Sequence, residues 1–152
     1  RILQTSSAIF GNSGVLPEQI IYEITERSLI EDESKAREVM ECLNARNSSI
    51  ALDDFGTGYS SLAYIESFPL DYLKIDRQFV RVIGSDALTV GLIDTIIDMA
   101  NRLELRTIAE GVETAGQEAY LAQLGVDFAQ GWYYSKAVPV AEFTRFLARR
   151  NA

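Results

Sequence analysis

Short runs rich in β-branched residues alternate with amphipathic helical patterns along the chain of 152 residues. The strand–helix unit recurs about every 30 residues, which is the length of a βαβ unit. No linker, low-complexity tract or change of composition interrupts this order. The alternation predicts an α/β fold with a parallel sheet. The predicted strands are Ile20–Ile24, Ile50–Asp53, Leu73–Asp76, Arg106–Ala109 and Val126–Tyr133.

Helices are predicted between these strands because apolar side chains recur there at helical spacing. Thr114 and Gln117 have the spacing of a capping box, which opens a helix, and Gly125 is a residue that ends one. The predicted helices cover Lys35–Ala45, Leu88–Leu103 and the stretch from Thr114 to Gly125, and a last one begins near Pro139.

Nearly every predicted strand carries a polar residue at its C-terminal end. In a barrel of parallel strands these ends meet at one mouth, whereas in an open sheet they spread along an edge. The five strand–helix units are fewer than the eight of a closed barrel, which usually takes about 250 residues. We therefore expect an incomplete (β/α)8 barrel, and a complete open α/β sheet is the alternative. The polar residues at the strand ends are Glu23, Asp53, Asp54, Lys74, Asp76, Glu110 and Gln130.

The net charge of the chain limits which classes of molecule it can bind. It carries 22 acidic and 14 basic residues, a net charge of −8, without a lysine- and arginine-rich cluster. A large nucleic acid is therefore a poor partner, because its backbone is recognised by clustered positive charge. A small anionic substrate fits an acidic pocket only when bound divalent cations reverse the local field.

The chain contains no histidine and one cysteine, Cys42, which the helical pattern places on an apolar face. Nucleophilic mechanisms that need histidine and thiol-rich zinc sites are thus excluded within these residues. Oxygen ligands and one lysine in an apolar strand, Lys74, remain. Carboxylates and amides suit Mg²⁺, Mn²⁺ or Ca²⁺, and a pair of such ions suits in-line attack on a phosphodiester.

The most apolar helical stretch, Leu88–Leu103, is interrupted by Asp94 and Asp98. It falls short of the roughly 20 apolar residues that a membrane span requires. We therefore expect no membrane contact by this segment and a cytoplasmic location, although a longer parent could be anchored in the inner membrane. The chain begins with Arg1, from which we expect it to be a piece of a longer protein.

Each acidic segment also has a purely structural explanation when it is taken alone. Glu23 and Glu26 could be a solvated strand end and a helix cap, and Glu113 a first-turn helix acid. The adjacent acids Asp53 and Asp54 repel one another, which favours a cation between them. Their joint occurrence at successive strand ends favours a metal site over coincidence.

Five segments, in order from about Pro17 to Pro139, resemble the EAL domain, the cyclic-di-GMP phosphodiesterase module. The central segment, Asp-Asp-Phe-Gly-Thr-Gly-Tyr-Ser-Ser-Leu, is the most specific. The segments are Glu23–Glu26, Asp53–Leu62, Phe68–Asp76, Ala109–Thr114 and Gln130–Gly131. The resemblance implies a modified TIM barrel that binds two Mg²⁺ or Mn²⁺ ions and hydrolyses cyclic di-GMP to linear pGpG.

The resemblance also implies metal ligands. Glu23 matches a ligand of the first ion, Asp53 the carboxylate that bridges both ions, and Asp54 a ligand of the second ion. Glu110 matches an acid that binds or deprotonates on the side of the second ion. Lys74 matches the lysine that holds the attacking water.

The resemblance also implies roles for residues around the metal ligands. Glu113 and Gln130 match supporting residues. Glu26 matches the acid that anchors the loop Phe55–Ser61, which the family associates with dimer contact. A homodimer through this loop and the neighbouring helix is therefore expected.

One departure from the family pattern limits the prediction. The Glu-Ala-Leu tripeptide that names the family and the asparagine ligand that follows it do not occur in this sequence. We expect residues 1–152 to be the C-terminal part of one EAL barrel and to be inactive, or nearly so, alone. The alternative is a non-catalytic cyclic-di-GMP receptor or partner-binding module, which would result if those upstream ligands were replaced.

Overall fold

The computed structural model describes residues 9–11, 13–56, 65–84 and 87–150. The strands in these ranges are β1 (Ile21–Thr25), β2 (Ser49–Asp53), β3 (Tyr72–Ile75), β4 (Arg106–Glu110) and β5 (Phe128–Gln130). The helices are α1 (Glu26–Glu31), α2 (Glu33–Asn44), α3 (Arg77–Val80), α4 (Ala87–Arg102), α5 (Ala115–Gln123) and α6 (Val140–Arg150). A 3-10 helix at Pro17–Gln19 precedes β1.

The described strands form one sheet in the order β1-β2-β3-β4-β5, and each neighbouring pair is parallel. The predicted α/β fold with a parallel sheet is thus confirmed. Pairing in sequence order is the arrangement of a (β/α)8 barrel, whereas a doubly wound sheet reverses its strand order partway. The five strands form an arc of such a barrel.

The two faces of the sheet carry different residues because side chains alternate along each strand. One face packs against the helices and forms the hydrophobic core. Between the core residues, each of three strands places a polar side chain on the opposite face, which is the concave side of the arc. These side chains are Lys74, Asp53 and Glu110. The core residues from the strands are Ile50, Leu52, Leu73, Ile75 and Ala109, and those from the helices include Met40, Leu43, Ile93, Ile97 and Leu121.

The first four strands lie within one residue of the predicted boundaries. The prediction for the fifth, Val126–Tyr133, was too long, because β5 ends at Gln130. A Cβ atom on Gly131 would lie 2.1 Å from the carbonyl oxygen of Val112, so the chain passes against the preceding loop there. The backbone N–H of Tyr133 donates to that same carbonyl at 2.9 Å, which diverts the chain out of the sheet.

The helix predictions are confirmed to within one or two residues, including the capping box of Thr114 and Gln117. Two short helices, α1 and α3, were not predicted; they begin directly after β1 and beyond Asp76. Cys42 is half-buried rather than packed, because Met40 and Leu43 form the buried side of α2. In the described ranges no helix has both the length and the hydrophobicity that crossing a bilayer needs.

Candidate active site

Lys74 is the centre of the polar cluster on the concave face. It lies in β3 between Leu73 and Ile75, and it is only 5% exposed. Its ammonium nitrogen Nζ lies 2.9 Å from Oε2 of Glu23, 3.1 Å from Oδ1 of Asp53 and 2.7 Å from Oε1 of Glu110. Carboxylates from β1, β2 and β4 thus meet on one atom.

These contacts explain why a lysine is tolerated in an otherwise apolar strand. A buried charge is costly unless it is paired and hydrogen-bonded. Burial lowers the pKa of Lys74, but the hydrogen bonds that its ammonium donates to Glu110, Glu23 and Asp53 outweigh this effect and leave the pKa above its ordinary value. One positive and three negative groups give the cluster a net charge of −2, which favours a further cation.

The contact between Glu23 and Lys74 reaches across the intervening strand β2. Neighbouring strands lie about 4.8 Å apart, so β1 and β3 would be roughly 10 Å apart in a flat sheet. The 2.9 Å contact between Glu23 and Lys74 therefore spans two strand spacings. Ala51, the register partner of both Glu23 and Tyr72, puts only a methyl group between these strands. The long side chains of lysine and glutamate span this distance, and the small Ala51 leaves room for their contact.

Gln130 extends the cluster to the fifth strand. Its side-chain amide Nε2 donates to Oε1 of Glu110 at 2.8 Å, the same oxygen that Lys74 contacts. Glu110 and Gln130 face each other in the register of β4 and β5. Both line a cavity of about 480 Å³ together with Glu113 and Trp132. The cavity therefore opens directly beside the cluster.

Asp54 and Glu113 lie outside the ion pairs of Lys74. Asp54 follows the last residue of β2, is exposed, and has a φ of 57°, a left-handed conformation that aspartate tolerates better than most residues. Its backbone N–H donates to Oδ1 of Asp53 at 3.0 Å. Glu113 is exposed at the rim of the cavity. The structure thus brings Glu23, Asp53, Lys74, Glu110 and Gln130 into direct contact and leaves these two acids beside them.

Glu26 lies at the start of α1, and its side chain is buried. Its Oε2 accepts a hydrogen bond from the backbone N–H of Gly56 at 3.2 Å. Gly56 has a φ of 88° and packs against the ring of Phe79, so a side chain at this position would be strained and crowded. Glu26 thus contacts the beginning of the loop Phe55–Ser61, whose residues 57–61 lie outside the described part of the chain, as does residue 62 of the same motif.

Gln117 was predicted as a helix cap, but its side chain has a further contact. Its Oε1 accepts from the backbone N–H groups of Glu113 and Thr114, at 2.8 and 3.1 Å. Its Nε2 donates to the carbonyl of Val80 at 3.2 Å. The buried amide therefore connects the loop after β4 to the helix after β3. The capping-box spacing indicated the bond with Thr114, whereas the contact with Val80 has no local sequence signal.

The donor types of the cluster fit a hard divalent cation. Glu23, Asp53 and Glu110 offer carboxylate oxygens, the ligands that Mg²⁺, Mn²⁺ and Ca²⁺ prefer. In the described part of the chain, no group of three or more acidic, histidine or cysteine side chains is arranged to hold a metal ion. The three carboxylates instead converge on the ammonium of Lys74.

Known proteins similar to this chain include cyclic di-GMP phosphodiesterases. The chain is 44% identical over 131 residues to the probable cyclic di-GMP phosphodiesterase PdeN of Escherichia coli K12, an alignment that covers 86% of this chain and 25% of that protein. It matches the structure of the PaMucR phosphodiesterase in a c-di-GMP complex with a TM-score of 0.88 and 32% identity, over 93% of this chain and 57% of that one.

A manganese/cy-diGMP complex of Klebsiella pneumoniae BlrP1 matches with a TM-score of 0.79 and 28% identity, over 89% of this chain and 34% of that one. The chain thus spans only part of each protein, and 25% of the length of PdeN. The family model of the EAL domain matches residues 2–137. The curved parallel sheet, the acidic cluster around a buried lysine and this match together show that the chain belongs to the EAL domain family.

Proposed function

We propose that the protein carrying this chain hydrolyses a phosphodiester bond of cyclic di-GMP. The observation that carries the proposal is the convergence of Glu23, Asp53 and Glu110 on Lys74 on one face of a parallel sheet. The curated relatives named as cyclic di-GMP phosphodiesterases and the c-di-GMP complex of PaMucR support the choice of substrate. Water adds to one phosphorus and gives a proton to a base, the bond from phosphorus to the 3′ oxygen breaks, and this oxygen takes up a proton as the ring opens to linear pGpG.

Two Mg²⁺ or Mn²⁺ ions are the proposed cofactors. Glu23, Asp53, Asp54 and Glu110 would hold them, with Asp53 shared between the two. When bound, such ions lower the pKa of water and neutralise charge that develops on the phosphoryl oxygens. The manganese complex of BlrP1 supports a divalent cation at a site of this family.

The other polar residues have proposed roles in orienting the reactants. Lys74 donates hydrogen bonds and can hold the attacking water in line with the bond that breaks. Glu110 would bind a metal ion or act as the base that accepts the proton of this water. Gln130 orients Glu110 through the 2.8 Å bond between their side chains. Glu113, at the rim of the same cavity, is proposed as a supporting residue of the carboxylate of Glu110.

Residues 1–152 are proposed to be the C-terminal part of a single EAL phosphodiesterase barrel. The match to 57% of the PaMucR chain supports this assignment. Ligands from other strands would complete the site, so we expect the 152-residue chain alone to be inactive or nearly so. Because the proposed substrate is a nucleotide second messenger, the domain is expected to act in the cytoplasm.

A homodimer through the loop Phe55–Ser61 and the neighbouring helix is also proposed. Its support is the resemblance to the family, which associates this loop with dimer contact, and the bond between the buried Glu26 and the backbone of Gly56 fixes the start of the loop relative to α1. A dimer contact at the loop would therefore affect the position of the end of β2, where Asp53 lies. The proposal links assembly to the geometry of the cluster.

The test is a hydrolysis assay with cyclic di-GMP on the intact protein that carries this chain, with and without Mn²⁺ or Mg²⁺. We expect divalent-dependent formation of pGpG, and loss of that activity in Asp53→Asn. Asp98→Asn, on the exposed side of α4, makes the same chemical change away from the cluster and should retain the activity. An unchanged rate in Asp53→Asn would refute the proposal, and binding of cyclic di-GMP without hydrolysis would favour a receptor.

A further inference from the structure

The three oxygens that contact Lys74 are atoms that a divalent ion would need. They are Oε2 of Glu23, Oδ1 of Asp53 and Oε1 of Glu110. An ammonium group has three N–H donors, and here three carboxylates lie within ion-pair distance of it. This inference rests on the proposed function only in taking these acids as metal ligands.

We propose that Lys74 occupies the position of a cation in the cluster and competes with a divalent ion for these carboxylates. A metal ion and the ammonium repel one another and compete for the negative charge of the same oxygens. Metal binding is therefore expected to displace Lys74 from at least one of its three carboxylates. The lysine thus sets how tightly the site binds its metal, in addition to the role proposed for it toward water.

The surroundings of Lys74 make this competition strong. Its side chain is 6% exposed, so water screens the ammonium poorly from a neighbouring cation. Leu73 and Ile75 on either side are buried in the core and hold β3 in place, so the base of the lysine cannot withdraw. The ammonium must move by rotation of its own side chain or by a shift of its partners.

The test removes the charge of Lys74 and measures metal binding directly. The variants are Lys74→Met, which keeps the length of the side chain without its charge, and Lys74→Arg, which keeps the charge. Lys35→Met is the matched control, because Lys35 is exposed at the start of α2. Mn²⁺ alone is titrated into the intact protein by calorimetry, without cyclic di-GMP, so that the readout does not depend on hydrolysis.

We expect Lys74→Met to bind Mn²⁺ at least about tenfold more tightly than the parent, because a repelling charge in direct contact is removed. Lys74→Arg and Lys35→Met should bind no more tightly than the parent. Equal or weaker binding by Lys74→Met would overturn the inference, as would the absence of Mn²⁺ binding in both parent and variant. Loss of hydrolysis with tighter metal binding would separate this competition from the role of Lys74 toward water.

A second readout covers the case in which Lys74→Met is unstable without metal. In the presence of EDTA, three carboxylates without their counter-ion repel, so this variant should melt below the parent and below Lys35→Met. Addition of Mn²⁺ should raise its melting temperature more than that of the parent. A smaller or equal increase would contradict the competition even if the variant is largely unfolded at the start of the titration.

Discussion

At the scale of single residues, Lys74 determines how three carboxylates can share a small volume. Glu23, Asp53 and Glu110 repel one another, and each would gain by facing solvent separately. Their contacts with one ammonium, at 2.7–3.1 Å, replace that repulsion by attraction. Removing the lysine leaves uncompensated charges, whereas removing one acid leaves a buried ammonium with fewer partners.

The raised pKa of Lys74 predicts a dependence of stability on alkaline pH. Because the folded chain holds this proton more tightly than the unfolded chain, the contribution of Lys74 is complete below the unfolded pKa, which is about 10.4 for a lysine. It declines as the pH rises above that value through the folded pKa. We expect the difference in free energy of unfolding between parent and Lys74→Met to be constant from neutral pH to about pH 10 and to shrink above it.

Urea unfolding of both proteins at a series of pH values measures this difference. Lys35→Met, compared in the same way, reports the effect of removing a lysine charge outside the cluster. A difference between the parent and Lys74→Met that stays constant, or grows, above the unfolded pKa would contradict the prediction.

The residue types of the cluster could be predicted from sequence, but their relative positions could not. An inward lysine in an apolar strand indicates acidic partners, since its charge must be compensated. Glu23 was predicted at a strand end, but it lies in the middle of β1, opposite Ala51. Residue type alone does not specify the left-handed conformation of Asp54, which has a φ of 57°.

At the scale of elements, the loops after successive strands are tied to one another. The amide of Gln117 connects the loop after β4 to α3, which follows β3. The N–H of Val112 donates to the carbonyl of Gln130 at 3.1 Å, which connects the same loop to β5. These bonds hold the carboxyl ends of β3, β4 and β5, where Lys74 and Glu110 lie, in a fixed relation.

Gln117→Ala tests this connection. The substitution leaves two backbone N–H groups and one carbonyl without their buried partner, which costs about 1–3 kcal/mol of unfolding free energy. Gln123→Ala, at the exposed end of α5, should change stability little. Urea unfolding of both variants measures the effect, and equal stability of the two would show that the amide of Gln117 does not connect the loops.

Gly131→Ala tests the close approach that ends β5. The added methyl group would lie 2.1 Å from the carbonyl oxygen of Val112, so the loop must shift, and we expect a loss of about 1–3 kcal/mol. Gly91→Ala, in α4, meets no atom within 4 Å and should stabilise the chain by up to about 1 kcal/mol. Thermal unfolding distinguishes the two, and a stabilised Gly131→Ala would refute the packing described for this turn.

The elements differ in how well sequence predicts them, for physical reasons. The first four strands have an apolar side facing the helices, so their periodicity defines them to within a residue. The end of β5 is determined by Val112, a residue distant in sequence, and a local pattern does not contain that contact. The short helices α1 and α3 begin after Thr25 and Asp76, whose side chains accept backbone N–H bonds, but they are too short for a helical period.

At the scale of the whole molecule, the order of the strands explains how residues from separate segments meet. Strands paired in sequence order and curved into an arc direct one face of every strand toward a common axis. Acids on β1, β2 and β4 therefore reach a lysine on β3. Sequence could predict this convergence only as one of two outcomes, since an open sheet has the same local patterns.

The most direct measurement is the anomalous diffraction of Mn²⁺ in crystals of the intact protein that carries this chain. We predict peaks between the side chains of Glu23, Asp53, Asp54 and Glu110, with oxygen ligands at about 2.0–2.6 Å, the range of hard divalent cations. Lys74 should then be displaced from at least one of its three carboxylates. Manganese bound elsewhere, with these acids still paired to Lys74 in protein that hydrolyses cyclic di-GMP, would contradict the assignment of the cluster as the metal site.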